Sequence, residues 1–121
     1  MRYINPSMLP HAADGGSHGV LMGETAKRLI IGGQMAFRAD GSIPLDFESQ
    51  IGQAFENVIA VVEAAQFDVR DIVRLSVRVV APGSAVLVER IRRRTFGRIH
   101  CALSYCEVVA LSDPRSLIEV D

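Results

Sequence analysis

The chain has little lysine, little cysteine, few aromatic side chains and almost no net charge, and each scarcity closes off a class of function. Its 121 residues carry 13 basic and 14 acidic side chains, for a net charge of −1. That balance offers no general attraction to nucleic acid or to an anionic membrane. Aromatic residues make up 6% of the chain, too few for base-stacking surfaces, so the arginine run Arg92-Arg93-Arg94 reads as a solvated helix face rather than an RNA contact. Lys27 is the single lysine among the basic residues, which reads as genomic base composition. No apolar run approaches the ~20 residues of a membrane span. The opening stretch MRYINPSMLPHAADGGSHG lacks the apolar core of a signal peptide. Cys101 and Cys106 stand at an odd spacing in a strand-like segment, hence on opposite faces, so no disulfide is expected between them. A cytoplasmic protein with reduced thiols is the expectation. No spacing of His, Cys and Asp makes a metal site.

What is present is a core. Apolar residues are 49% of the chain and charged residues 22%, and the length suits one domain, residues 1–121, without staples. The chain is organised around residues 46–66, DFESQIGQAFENVIAVVEAAQ. Ile51, Ala54, Phe55, Val58, Val61, Val62 and Ala65 recur at the three-and-four spacing of one helix face. Asp46 is the expected N-cap, and Glu48 adds negative charge near the positive end of the helix dipole.

Before this helix, Tyr3-Ile4 reads as a short strand. The runs 18–22 and 29–31 read as two strands of a hairpin joined by GETAKR. The Gly32-Gly33 pair that follows marks a bulge or a close approach of backbone or ligand. After the helix, Val73, Leu75, Val77 and Val79 alternate with Arg74, Ser76 and Arg78, which puts one strand face under helices and leaves the other polar. A second helix is expected over residues 85–96, with Ser84 as N-cap, Gly97 as C-terminal cap and its arginines largely solvated. In the strand from His100 to Val109, the small set Ala102, Ser104, Cys106 and Val108 is expected beneath the helices. Cys106 would then be inert, and Cys101 the more reactive thiol. Leu117 to Val120 closes the chain as a short strand. This order predicts an α+β fold: one mixed β-sheet with two helices packed on one face.

Particular residues go further. SHGV at 17–20, IIGGQ at 30–34, DGSIPLDFESQIGQAFENVIAVVEAA from Asp40, DIVRLSVRV from Asp71, LSYCEVVAL from Leu103 and LIEV from Leu117 together resemble the RidA family, also called YjgF or endoribonuclease L-PSP. The resemblance implies a chorismate-mutase-like protomer in a homotrimer, with small-molecule clefts between subunits. It also implies hydrolysis of reactive enamines and imines of 2-keto acids, releasing ammonia without metal or organic cofactor. The family's water-positioning glutamate falls on Glu119, and its ligand-facing turn on Gly32 and Gly33. The family's carboxylate-clamping arginine position holds Leu103, and the tyrosine in front of SHGV is replaced by Gly16. The cleft implied is therefore walled by Leu103, Tyr105, Glu119 and the Gly32-Gly33 turn, and suited to a less anionic substrate. Arg74 and Arg78, on the polar strand face, are the candidates for a relocated clamp. The alternative is a non-catalytic trimer that binds a metabolite or a protein partner. Lone histidines at strand ends, His18 and His100, are read as neither ligands nor acid–base groups.

Overall fold

The apolar stripe of the first helix decides where the core forms. The computed structural model describes residues 2–7, 16–17 and 19–121. Helix α1 spans Phe47–Ala64, and the Asp46 carboxylate accepts the Ser49 N–H at 2.9 Å. Its stripe of Ile51, Ala54, Phe55, Val58 and Val62 is buried. Helix α2 spans Ala85–Phe96 and ends at Gly97, whose φ of 69° is left-handed, a conformation glycine adopts without strain. The two helices meet through Phe55 and Phe96, whose rings stand edge to face with centroids 5.1 Å apart.

Among the described residues, six strands accompany them: β1 (Arg2–Ile4), β2 (Gly16–Ser17), β3 (Gly19–Leu21), β4 (Arg74–Val79), β5 (Cys101–Glu107) and β6 (Ile118–Val120). A mixed four-stranded sheet runs β2-β5-β4-β6, while β1 and β3 form a separate two-stranded ribbon. β2, β5 and β4 are parallel and β6 is antiparallel to β4. Both helices cover one sheet face, and Leu75, Val77, Val79, Ile118 and Val120 fill the layer between them.

One helix residue fixes how β6 arrives. Gln50 is buried, and its amide donates to the carbonyls of Pro44 and Arg115, each at 2.9 Å. Its side-chain oxygen accepts the Leu117 N–H at 2.8 Å. A polar side chain on the helix's inner face therefore stitches the chain on both sides of the core, and all of its strong hydrogen-bonding groups are used.

Three expectations are corrected. Leu29–Ile31 is not a strand, and β3 pairs with β1 instead. The outer edge of β6 is reached only at Gln34, whose N–H and C=O both bond Val120, at 2.7 and 2.9 Å, so the residues before it have no ladder to join. On β5 the faces are reversed. Parallel pairing sets Leu103 beside Leu75 and Tyr105 beside Val77, and cross-strand partners share a face. Register, rather than side-chain size, thus puts Cys101 and Leu103 on the helix side and Cys106 on the other. Cys101 is fully buried and Cys106 exposed, both as free thiols. Lastly, Arg92 is not solvated. Being one turn on from Val88, it shares the inward face, and its guanidinium bonds Glu89 at 2.6 and 2.7 Å. Burial pushes the Glu89 carboxyl up, but the Arg92 and Arg93 bonds outweigh it and hold it below its ordinary value.

Burial likewise pushes the Cys101 thiol up to about 11. Between the ordinary thiol range and that value, only the unfolded chain ionises, so this group lowers stability as pH rises through the window. Cys101 is accordingly expected to resist iodoacetamide in the native protein at mildly alkaline pH and to react on unfolding. Peptide mapping after timed alkylation reads the result, and rapid native labelling of Cys101 would contradict the burial.

Candidate functional site

The face of the sheet away from the helices carries the candidate charged residues. Alternation along β4 sends Arg74, Ser76 and Arg78 to this face, and pairing with β6 sets Arg78 directly across from Glu119. The Arg78 guanidinium lies 3.2 Å from an Asp121 carboxylate oxygen and 3.9 Å from Glu119 Oε1. The first is a charge-assisted hydrogen bond, whereas the second is attraction without one. Glu119 is 24% exposed, and no hydrogen bond to its carboxylate is formed among the described residues. Beyond the attraction to Arg78, its carboxylate end occupies a niche at Gly33.

Gly33 makes that niche. A Cβ placed there would fall on the Glu119 side chain, 2.7 Å from Cδ and 3.0 Å from Cγ, and into contact with Oε1. The backbone of 33–34 reaches this position because Gln34 bridges to Val120, one residue on from Glu119. The neighbouring Gly32 has open space where a Cβ would stand, and its carbonyl accepts the Gln34 side-chain amide at 3.0 Å.

The structure therefore brings together two of the residues expected from sequence, Glu119 and Gly33. It does not bring Leu103 and Tyr105 to them within one protomer. Leu103 is packed against the core on the helix face. Tyr105 is 39% exposed, and its hydroxyl lies 2.9 Å from Ser84 Oγ, which itself donates to the Ala81 carbonyl at 2.6 Å. Ser84 begins α2 as expected, but with this bonding its side chain makes no cap bond. The His100 ring is tilted against that of Tyr3, with ring centroids 5.4 Å apart. His18 lies outside the described residues. That Arg78 is the arginine across from Glu119, with Asp121 beside it, was left open by the sequence. Complementary charge on two alternating strands was the available signal, but the register that joins them was not.

Among the described residues, no group of three His, Cys, Asp or Glu side chains could hold a metal ion. No helix there is long and apolar enough to cross a membrane.

Comparison with known proteins agrees with this architecture. The family described as endoribonuclease L-PSP matches residues 10–121. YyfB of Yersinia pestis, a protein of the conserved Rid family, is 33% identical, aligning 98% of this chain with 93% of its own at a TM-score of 0.84. The YjgF gene product of E. coli is 27% identical, with 99% and 94% of the two chains aligned and a TM-score of 0.71. E. coli TdcF, solved with bound serine, shares the fold at 24% identity, with 99% and 94% aligned and a TM-score of 0.68. No curated protein matches the sequence.

Proposed function

The chain belongs to the endoribonuclease L-PSP family, the Rid or YjgF proteins, and from that premise we propose that it is a hydrolytic deaminase of enamines or imines acting through Glu119. The observation that carries the reading is the Glu119 carboxylate itself, partly exposed, without a hydrogen bond among the described residues, and held over Gly33 beside Arg78. In the proposed step Glu119 takes a proton from water as the water oxygen bonds to the imine carbon. That proton passes to the nitrogen to give a carbinolamine. Glu119 then moves the hydroxyl proton to the nitrogen as the C=O bond forms and the C–N bond breaks, and ammonia leaves with a ketone behind. Arg78, 3.9 Å from the Glu119 Oε1, orients it.

We place the cleft between subunits of a homotrimer with a chorismate-mutase-like protomer. In one protomer Leu103 and Tyr105 face away from Glu119, so a neighbour's β5 is what completes the wall. Two features support this: β5 is exposed from Ser104 to Glu107, and beyond Ala102 its outer edge has no strand partner among the described residues. Leu103 has no donor for a carboxylate. Arg74 does not replace one, since four residues of strand set it roughly 13 Å along β4 from Arg78, too far for a small 2-imino acid to touch both it and Glu119. Arg78 is already bonded to Asp121. The substrate therefore presents a neutral or apolar group where a carboxylate clamp would stand.

A non-catalytic binding role is the second reading, and the Arg78–Glu119 attraction favours it, because a paired glutamate serves structure as well as chemistry. Substrate preference separates the two. Wild type is expected to release ammonia from freshly generated 2-iminopropanamide at least as fast as from 2-iminopropanoate. Leu103→Arg should shift preference towards the carboxylate by about 10- to 100-fold, the worth of a charge-assisted hydrogen bond. A wild type that strongly prefers the carboxylate would mean that another cation, Arg78 first, is the clamp. A wild type silent on both would leave the binding role.

A further inference from the structure

A cavity of about 580 Å³ opens at the edge of β4 where its pairing with β6 stops. Ser76 is the last β4 residue bonded to that neighbour, exchanging bonds of 2.7 and 3.0 Å with Asp121. One step back along the strand, ladder alternation turns the Arg74 N–H and C=O towards the cavity, while Val73 bonds Ala102 on the other side. The inner wall is apolar and buried, formed by Val58 and Val62 of α1 with Ile72 and Leu75. The mouth is charged, and its charges are unevenly committed. Asp68 is clasped by Arg70, Asp71 accepts the Asp68 N–H, and Asp121 holds Arg78. Lys27, Arg28 and Arg74, by contrast, line the same opening with no ion pair among the described residues. The result is an apolar chamber whose lip carries more unpaired positive charge than negative, Lys27, Arg28 and Arg74 against Asp71.

We propose that this cavity binds an amphipathic organic anion, with the hydrocarbon body between α1 and the β4 edge and the carboxylate at Arg74. The volume is within the range of sites that enclose small organic ligands, and their usual make-up is a mostly apolar lining with a few convergent polar groups. Arg74 supplies two kinds of donor at one place, a guanidinium and a backbone N–H pointing inward, and Lys27 and Arg28 add attraction from the facing lip. The site does not depend on the hydrolytic reading. Glu119 does not line it, and the residue that anchors the head group lies too far along β4 to serve the Glu119 chemistry.

The test titrates octanoate and its uncharged counterpart octanol into the isotope-labelled full chain, followed by methyl and amide NMR. Octanoate is expected to shift the Val58, Val62 and Leu75 methyls saturably and to bind at least tenfold more tightly than octanol. Arg74→Gln should remove most of that difference without weakening octanol. Ile31→Trp, which fills the cavity from its outer wall, should weaken both. Glu119→Ala should bind octanoate like wild type, so failure here and failure of the deaminase reading are told apart. Equal affinity for octanoate and octanol overturns the proposal, as does the absence of saturable shifts. Shifts at Val58 and Val62 that appear with protein concentration alone overturn it too, since a second copy would then fill the cavity.

Discussion

Replacing Gly33 with alanine is expected to reduce ammonia release to the level of Glu119→Ala while leaving the fold intact. The new Cβ would occupy the space of the Glu119 carboxylate end. What must move is the far end of a flexible side chain, not backbone, so the change in stability should stay within about 0.5 kcal/mol. The loss of function should be larger by far. A displaced general base forfeits on the order of 10²–10⁴ in rate, and most of that should appear in kcat because the substrate's other contacts are untouched. Gly32→Ala leaves Glu119 in place, since its Cβ meets nothing within 4 Å, and so reports on the turn alone. Steady-state kinetics beside thermal melts of the two variants decide the matter. Wild-type activity in Gly33→Ala would mean that Glu119 does not act from the position it occupies over Gly33.

The largest effect on stability is expected at Gln50. Gln50→Met keeps the volume and removes three hydrogen bonds to backbone groups of Pro44, Arg115 and Leu117. Two carbonyls and one N–H then lose their partner in partly or fully buried surroundings, where each costs roughly 1–3 kcal/mol less whatever water recovers. A total of about 3 kcal/mol is expected, a large share of the stability of a domain this size, and the melting temperature should fall by roughly 10 °C. The bond to Leu117 also fixes the start of the strand that carries Glu119 two residues later, so the folded variant should lose activity as well. Chemical denaturation that returns a difference below about 1 kcal/mol would show that water replaces these bonds at no cost.

Both residues illustrate how far the sequence could be read. Local signals were sufficient for the helices: the stripe from Ile51 to Val62, the Asp46 cap and Gly97 all stand where periodicity and capping chemistry put them. The inward face of β4 was equally legible, because strict alternation has only one sensible orientation. Non-local pairing was not. The face of β5 depended on its register against β4, and side-chain size was a poor substitute for it. Residues 29–31 are apolar enough for a strand, yet Ile30 is 92% exposed, because strand character needs a neighbour that composition does not reveal. At the site, family resemblance marked Glu119 and Gly33. That Arg78 stands across from Glu119, with Asp121 beside it, follows only from the β4–β6 register. Gln50 was invisible for a related reason, since a glutamine on an inner helix face has value only when three distant backbone groups converge on it.

The central claim is that Glu119 is the group that activates water. Its most direct test is ammonia release from freshly generated imine, measured for wild type and Glu119→Ala at equal folded concentration. A clear acceleration by wild type that vanishes in the variant is the predicted result. An acceleration that survives the substitution undiminished would contradict the claim.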